Sequence, residues 1–321
     1  MPDDFGDNLF RLVLDESSFN FRDLTDSQVE SGLNELDEQL ALLRQAQHSV
    51  AKSSIIYDID CRDGIDIYSF LFLNDTSKVS RDTRQRTYLT FDRLPFWDDS
   101  DCPEVPFECR IDNGGPAISP SVGYALVARL QDRSVACLTF PSCHSNGFRH
   151  VAADCGGGEV YFFTLQDDLK DFWRSIFSVE DVPESLFHET AVVAFPDLVL
   201  HSSLAFSHFD GKYLDLRHPV VEILAALNDH FARVLHECKG IPHDIQGAMG
   251  HYGVDLSPES PKTRSSAKLM AKRDVDYEGA KYRCEWHAKL EPHRNRVHFT
   301  LPSPELGDRV LIGLFVDHLP T

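Results

Sequence analysis

Apolar and polar residues alternate strictly along two successive runs near the end of the 321-residue chain, residues 281–290 and 296–301. Because successive side chains of a β-strand point to opposite faces, each run predicts a strand with one apolar and one polar face. The five residues between them, 291–295, predict a hairpin loop, and the apolar run 309–316 predicts a third strand. The pattern therefore predicts an antiparallel sheet in this part of the chain.

The polar face of this predicted hairpin carries a distinctive set of side chains. Histidine exchanges a proton near neutral pH, a nearby carboxylate can orient it, and Arg and Lys bind phosphate. These are the groups that a metal-independent ribonuclease needs. The set comprises His287 and His298 for proton transfer, Glu285 to orient a histidine, and Arg283, Lys289 and Arg296 to bind phosphate, with Arg294 of the loop as a further phosphate-binding residue. The alternative is a merely solvated face, since a sheet with one face in water is polar there by default.

The charge of the chain is unevenly distributed. The formal net charge is −20, so the molecule as a whole repels polyanions. Residues 261–300 are the exception, with ten Lys or Arg against five Asp or Glu, a balance of +5, which leaves −25 for the rest. Residues 1–40 hold eleven acidic residues against two Arg. The basic C-terminal segment is therefore where we expect an RNA partner to bind.

Other segments predict helices and strands of ordinary length. A capping box at Thr25 and Gln28, followed by an apolar stripe, predicts a helix over residues 26–45. Residues 257–266 contain two prolines and four serines and predict a linker. The remaining predicted helices and strands are helices over residues 81–93, 169–187 and 219–238, and strands over residues 54–59, 124–128, 135–140 and 160–164.

Together these segments indicate an α+β fold with more than one domain. Three regions are expected: an acidic α/β region over residues 1–115, a β-rich and then helical region over 116–256, and a basic β domain over 257–321. The eight cysteines have no framework spacing, the N-terminus lacks a signal-peptide pattern, and no apolar stretch reaches the ~18 residues of a membrane span. We therefore expect a cytoplasmic protein with reduced thiols and no membrane partner.

Metal and cysteine chemistry find less support in the sequence. His287, His293 and His298 are close in sequence but straddle a turn, unlike the helical HExxH spacing of a zinc site. Cys284 falls on the apolar face of the predicted strand and is not expected to act as a nucleophile. A second group lacks the CxxC pair typical of structural zinc and comprises Cys137, Cys143, His144, His150 and Cys155. No metal and no cofactor is therefore expected.

The C-terminal segment resembles two groups of bacterial proteins. The basic strand Arg296-Val297-His298-Phe299, followed by the apolar strand 310–316, resembles the final strands of RelE/ParE-type toxins. Residues His287-Ala288-Lys289, the same Arg-Val-His-Phe strand, and Gly313 through His318-Leu319-Pro320 resemble uncharacterised proteins of toxin–antitoxin or phage-defence loci. The resemblance covers about residues 265–321 and implies a role in such a system.

Two hypotheses about function follow. The leading one is a nucleic-acid-directed, RNase-like effector of a bacterial toxin or antiphage defence system that acts without a metal. The alternative is a non-catalytic sensor or interaction subunit of such a multi-component system, which docks a partner through the basic C-terminal sheet. Catalysis requires His287 and His298, whereas docking depends on total charge and tolerates exchange of Lys for Arg.

Overall fold

The computed structural model of the chain describes residues 9–73, 77–98, 104–141 and 146–319. The chain forms two compact units, of which unit 1 consists of residues 1–172 and unit 2 of residues 173–321. Helices and sheets occur in both, so the fold is α+β, and unit 2 includes an antiparallel sheet of C-terminal strands. The domain boundaries expected after residues 115 and 256 lie inside unit 1 and unit 2, respectively.

Unit 1 is organised around a seven-stranded sheet. Its strands are β1 (Leu12–Leu14), β2 (Val50–Ala51), β3 (Asp60–Arg62), β4 (Ile65–Asp66), β5 (Glu108–Ile111), β6 (Pro116–Ile118), β7 (Ala136–Leu138), β8 (Gly147–Ala153) and β9 (Gly156–Phe163). The sheet has the order β2-β1-β7-β9-β8-β5-β6, and β3 and β4 form a separate pair. The first four strands of this order are parallel, and the other pairs are antiparallel. The strands predicted over residues 135–140 and 160–164 correspond to β7 and the end of β9.

The helices of unit 1 are α1 (Asp26–Gln45), α2 (Ile67–Phe72), α3 (Arg81–Asp92) and α4 (Pro120–Leu130), with 3-10 helices at Glu16–Ser18, Ser54–Asp58 and Gln166–Asp168. At the start of α1, the Thr25 side chain accepts a hydrogen bond from the backbone N–H of Gln28, which confirms the predicted capping box. Gly32 lets α1 approach Phe140 so closely that a Cβ atom would overlap the aromatic ring. The helices predicted over residues 26–45 and 81–93 are thus confirmed, the second to within one residue.

Two predicted strands of unit 1 are helical. Residues 124–128 lie within α4, which follows the N-cap residue Ser119 and has Pro120 in its first turn. Almost all of α4 is buried, so its apolar run shows neither a period of two nor a period of 3.6. Residues Ser54–Asp58 form a 3-10 helix instead of the predicted strand. Both predictions are wrong. For residues 124–128 the reason is that a short, uniformly apolar run does not distinguish a buried strand from a buried helix.

Unit 2 contains a five-stranded sheet and a separate hairpin. Its strands are β10 (Leu198–Leu200), β11 (Leu256–Pro258), β12 (Asp274–Tyr277), β13 (Ala280–Arg283), β14 (Trp286–Lys289), β15 (Arg296–Phe299) and β16 (Val310–Val316). The sheet has the order β10-β16-β15-β14-β11, in which only β10 and β16 are parallel neighbours, and β12 pairs with β13. The predicted hairpin is confirmed as β14 and β15, and the predicted third strand is confirmed as β16.

Most of the described helices of unit 2 lie between residues 169 and 250. The helices are α5 (Leu169–Val179), which contains the boundary between the units, α6 (Glu184–Ala194), α7 (Tyr213–Ala226), α8 (Ala232–Glu237), α9 (Pro242–Gly250), α10 (Pro261–Arg264) and α11 (Ala267–Met270), with 3-10 helices at Phe206–His208, Ala271–Arg273 and Pro304–Leu306. A π-helical turn, Leu227–Phe231, joins α7 to α8. The single helix predicted over residues 169–187 is two helices, interrupted before Pro183, the N-cap residue of α6. The helix predicted over 219–238 starts earlier, at Tyr213.

The alternating run 281–290 forms parts of two different strands. β13 and β14 are separated by Cys284 and Glu285, and β13 pairs with β12 instead of joining the sheet. Cys284 lies so close to Gly313 of β16 that no side chain would fit at that glycine. The prediction of one continuous strand is therefore wrong, and Arg283 and Glu285 do not share a strand face with His287.

Candidate functional site: a buried histidine–carboxylate cluster

The register of β14 and β15 places His287 directly opposite His298. The centroids of the two rings are 5.1 Å apart, and the ring planes are inclined by 39°. On the other side of His287, in β11, lies Ser257, whose hydroxyl oxygen is 3.3 Å from His287 Nε2. The pairing of the two strands thus brings together the two histidines that were predicted to transfer protons.

Both histidines are buried, with His287 6% exposed and His298 0% exposed. Two residues of the chain that follows β11 pack beside them, since Arg273 lies against the carboxylate next to the histidines and the Cys284 backbone lies close to His298. The expectation of a solvent-facing polar surface is therefore wrong at these two positions. An alternating pattern shows which residues share a face, but it does not show whether water or another segment of the chain covers that face.

Glu259, the first residue after β11, brings a carboxylate to the two histidines. Its Oε1 lies 3.6 Å from His287 Nδ1 and 3.8 Å from His298 Nδ1. Its backbone N–H donates a 2.8 Å hydrogen bond to the carbonyl of Glu285, which holds the chain in place after the strand. The prediction of a linker over residues 257–266 is wrong at its start, because residues 257 and 258 belong to β11. Pro258 is tolerated there because β11 is an edge strand of the sheet. We refer to Glu259, His287 and His298 as the buried cluster.

Arg273 supplies a positive charge beside the buried cluster. Its Nε lies 2.6 Å from Glu259 Oε1, and its Nη1 donates to the backbone carbonyl of Leu269 at 2.9 Å. Burial by itself would raise the pKa of Glu259, but the contacts with His287 and Arg273 outweigh it and hold the pKa at about 2. Glu259 is therefore ionised at neutral pH, and Arg273 balances its charge.

Burial lowers the pKa of His298 to about 3, and the neighbouring His287 acts in the same direction. His298 is therefore neutral at neutral pH, because a charged ring would lose its hydration there. The Cys284 backbone lies close, but neither ring nitrogen of His298 makes a hydrogen bond of normal geometry, and neither does Nδ1 of His287. Buried polar atoms are nearly always hydrogen-bonded, so three such nitrogens in one place call for an explanation.

The basic residues predicted to bind phosphate are mostly engaged in ion pairs. These pairs are Lys289 with Asp255 (3.0 Å), Arg283 with Asp274 (2.7 Å), and Arg294 with Asp210 (2.5 Å) and Glu291 (2.7 Å). Arg296 lies opposite Lys289 in the neighbouring strand and is half-buried. Glu285, predicted to orient a histidine, has its carboxylate 3.7 Å from Arg264. A phosphate group would have to displace a carboxylate at three of the four predicted positions.

The sequence-based alternatives have different outcomes. His293 is exposed in the loop between β14 and β15, and the carboxylate that accompanies His287 and His298 comes from Glu259. Cys143 and His144 of the second candidate group lie outside the described residues. Cys284 is buried, and burial raises the pKa of its thiol to about 12, so the thiol is a poor nucleophile at neutral pH.

Glu259 and Arg273 were not predicted from the sequence. A weak signal for the strand that positions Glu259 does exist, because the apolar Val254 and Leu256 alternate with the polar Asp255 and Ser257. The signal is only four residues long and runs into a segment rich in proline and serine. Arg273 has no comparable signal. It directly follows Lys272, and nothing in the sequence distinguishes it from an exposed basic residue.

Unit 1 has buried carboxylates of its own, directly after β1. Glu16 accepts hydrogen bonds from the hydroxyls of Ser53, Ser119 and Ser121, and Ser119 also donates to Asp15. Burial raises the pKa of both carboxyl groups, and the serine contacts oppose this only in part. Because both side chains are enclosed, we assign them a structural role, in which they tie the end of β1 to the start of α4.

Comparison of the chain with protein-family models, with curated proteins and with solved structures found no match. Among the residues that the structure describes, no helix combines the length and the apolar character that crossing a bilayer requires.

Proposed function

We propose that unit 2 binds nucleic acid, as part of a bacterial toxin or antiphage defence system, through exposed lysines in residues 261–272. We call these residues the basic segment. It contains four Lys or Arg and no Asp or Glu, and it comprises α10, α11 and the start of the 3-10 helix that follows. The proposal keeps the nucleic-acid partner predicted from the sequence but moves its binding from the strands to this segment.

Three unpaired lysines carry the proposal. Lys262, Lys268 and Lys272 are exposed, and none of them forms an ion pair with a described residue. The fourth basic residue, Arg264, lies 3.7 Å from the Glu285 carboxylate. In a chain with a net charge of −20, free lysines concentrated in one short stretch favour a polyanionic ligand. Release of counterions from the phosphates would then supply much of the binding free energy.

A non-catalytic role is better supported than catalysis by the histidines. His298 is enclosed and its pKa is about 3, so it is not an imidazolium ion at neutral pH and is a poor general acid there. Its side chain is also 0% exposed, so a phosphodiester does not reach it. The geometry therefore favours the interaction-subunit hypothesis, with nucleic acid as the ligand of the basic segment.

Metal-independent ribonuclease activity is the second candidate, and one observation favours it. His287 and His298 are directly paired, with ring centroids 5.1 Å apart, which suits an acid and a base that act on one substrate. Activity of this kind would require the chain after β11 to move away from the sheet. The assignment to a toxin or defence system rests on the resemblance to RelE/ParE-type toxins, and the cytoplasmic location belongs to the same proposal.

Binding of a fluorescent single-stranded RNA and of the matching DNA to the full chain tests the proposal. Fluorescence anisotropy would be measured at several salt concentrations for the wild type and for a variant with Lys262→Gln, Lys268→Gln and Lys272→Gln. Each phosphate contact contributes about 0.7 to the slope of log K against log salt for single strands, so the slope should fall by about 2. A matched control carries Lys78→Gln, Lys212→Gln and Lys239→Gln, which remove the same charge elsewhere.

Equal weakening by the two triple variants would contradict the proposal, as would absence of binding by the wild type at low salt. The same RNA, incubated with the full chain in EDTA, tests the second candidate. Cleavage that disappears in the His287→Ala/His298→Ala variant would favour a histidine ribonuclease. Binding without cleavage is the outcome that we expect.

A further inference from the structure

We propose that Glu259, His287 and His298 bind a divalent transition-metal ion, and that zinc is the ion that fits best. The proposal does not depend on the nucleic-acid function. The three residues each offer one ligand atom, and these atoms all lie within 4.8 Å of one another. Two imidazole nitrogens and one carboxylate oxygen form a ligand set that zinc commonly uses.

The distances in the buried cluster suit a small ion after a slight contraction. Bonds of about 2.0–2.2 Å in a tetrahedral zinc site place the ligand atoms about 3.4 Å apart. Glu259 Oε1 is 3.6 Å from His287 Nδ1 and 3.8 Å from His298 Nδ1. These separations are longer than those of normal hydrogen bonds, so a metal ion could take the place of both contacts.

The hydrogen bonds that are present leave the right atoms available. Ser257 Oγ is 3.3 Å from His287 Nε2. In the tautomer in which Nε2 donates to this hydroxyl, Nδ1 keeps a lone pair for the metal. Both nitrogens of His298 and Nδ1 of His287 make no hydrogen bond of normal geometry. A buried polar atom without a partner destabilises the folded state, and coordination of an ion would remove that penalty. At metal sites, a hydrogen bond to the second ring nitrogen usually orients a histidine ligand, and Ser257 is placed to make that bond to His287.

Arg273 is the feature that opposes cation binding. It lies 2.6 Å from Glu259 Oε1, so a divalent ion would enter beside an existing positive charge. A buried ion pair between Glu259 and Arg273, flanked by the two histidines and without any metal, is therefore the competing explanation of the cluster. Three protein ligands would leave one coordination position open, which is the pattern of catalytic rather than structural zinc sites.

Metal binding by the full chain decides between these explanations. The protein would be stripped with EDTA, dialysed and titrated with Zn²⁺ by calorimetry, and then with Co²⁺, whose visible absorption reports its coordination. We expect one equivalent of zinc per chain and the intense absorption of a tetrahedral cobalt site. Glu259→Gln and His287→Gln should each weaken zinc binding at least about 100-fold, and Ser257→Ala about tenfold, since loss of an orienting partner costs about 10–100-fold.

Two matched controls come from the residues predicted by sequence alone. His293→Gln removes the third histidine of the sequence-based metal group, and Glu285→Gln removes the carboxylate first expected to orient a histidine. Neither variant should change zinc affinity by more than about twofold, because neither side chain belongs to the buried cluster. Each variant would be checked by circular dichroism, and Ser257→Ala is mild enough to remain informative if the ligand variants do not fold.

Absence of binding by the stripped wild type would overturn the proposal and establish the ion-pair explanation. Binding that persists in Glu259→Gln and His287→Gln, or that is lost in His293→Gln, would also overturn it by placing the ion elsewhere. RNA binding by the basic segment is measured in separate assays, so failure of one proposal leaves the other intact.

Discussion

Arg273 and Glu259 form an ion pair enclosed within unit 2, with 2.6 Å between Nε and Oε1 and with side chains 0% and 2% exposed. The pair joins the residue that directly follows the basic segment to the first residue after β11. Burying two charges is expensive, and the mutual attraction of the two ions offsets that expense only while both are present. The stability of this part of unit 2 is therefore expected to depend on the pair as a whole.

Arg273→Met should destabilise unit 2 strongly, by about 3–5 kcal/mol, because it leaves the Glu259 carboxylate buried without its counter-charge. The double variant Arg273→Met/Glu259→Gln should recover much of that loss, since it buries no charge. Urea unfolding of both variants and of Glu259→Gln would provide a double-mutant cycle. Strictly additive effects of the two substitutions would show that the ion pair is not the source of the stability.

Zinc should stabilise unit 2 selectively. An ion that binds only the folded state at 100 times its Kd adds about 2.7 kcal/mol to the free energy of unfolding. Hydrogen exchange of the amides in β14 and β15 should slow accordingly, whereas β1 and β7 of unit 1 serve as an internal reference. EDTA should reverse the protection, and Glu259→Gln should abolish it. Equal protection of both units would point to a non-specific effect of the metal.

Two glycines in helices should respond to the same substitution with opposite signs. Gly32→Ala in α1 places a Cβ atom against the Phe140 ring, so unit 1 should lose about 1–3 kcal/mol through overpacking. Gly247→Ala in α9 meets open space and should stabilise unit 2 by up to about 1 kcal/mol through helix propensity. Thermal unfolding of both variants measures the two changes in stability. Stabilisation by Gly32→Ala would refute the close approach of α1 to Phe140.

Glu16 should make the stability of unit 1 depend on pH. Burial raises its pKa in the folded state above the ordinary carboxyl value, so the folded state binds a proton that the unfolded state has released. The stabilising contribution of the protonated form is complete below the unfolded-state pKa of about 4.3 and is lost as pH rises through the folded-state pKa. Each unit by which the pKa is raised corresponds to about 1.4 kcal/mol.

Glu16→Gln removes this titration, so the variant should gain stability relative to the wild type as pH rises above about 4.3. Urea unfolding at several pH values, followed through the hydrogen exchange of β1, measures the difference. Glu38→Gln, which removes the same charge from an exposed position of α1, controls for the change in net charge. A difference between Glu16→Gln and the wild type that does not vary with pH would show that the Glu16 pKa is not raised.

The elements predicted best are those whose signal is local. The capping box at Thr25 and Gln28 acts over four residues, and the structure contains both of its hydrogen bonds. The hairpin of β14 and β15 follows from alternation and a short loop, and its register pairs His287 with His298. In each case the residues that provide the signal also make the contacts, so no information from the rest of the chain is needed.

The buried cluster could be predicted only in part. Strand pairing brings His287 and His298 together, but the carboxylate beside them comes from Glu259, which lies 28 positions before His287 in the chain. The expected carboxylate, Glu285, lies only two positions before His287, yet it falls between β13 and β14. At that break Cys284 packs against Gly313, a contact between residues 29 positions apart.

The amino-acid sequence by itself determined the α+β class, the first long helix, the C-terminal hairpin and the basic character of the region around it. These features depend on periodicity, capping and charge, which are properties of neighbouring residues. Only the tertiary structure decided that the two histidines of the hairpin are buried, that Lys289 and Arg294 pair with carboxylates, and that Glu259 and Arg273 lie beside the histidines. Burial and charge pairing are relations between distant segments, so they arise only when the whole of unit 2 packs together.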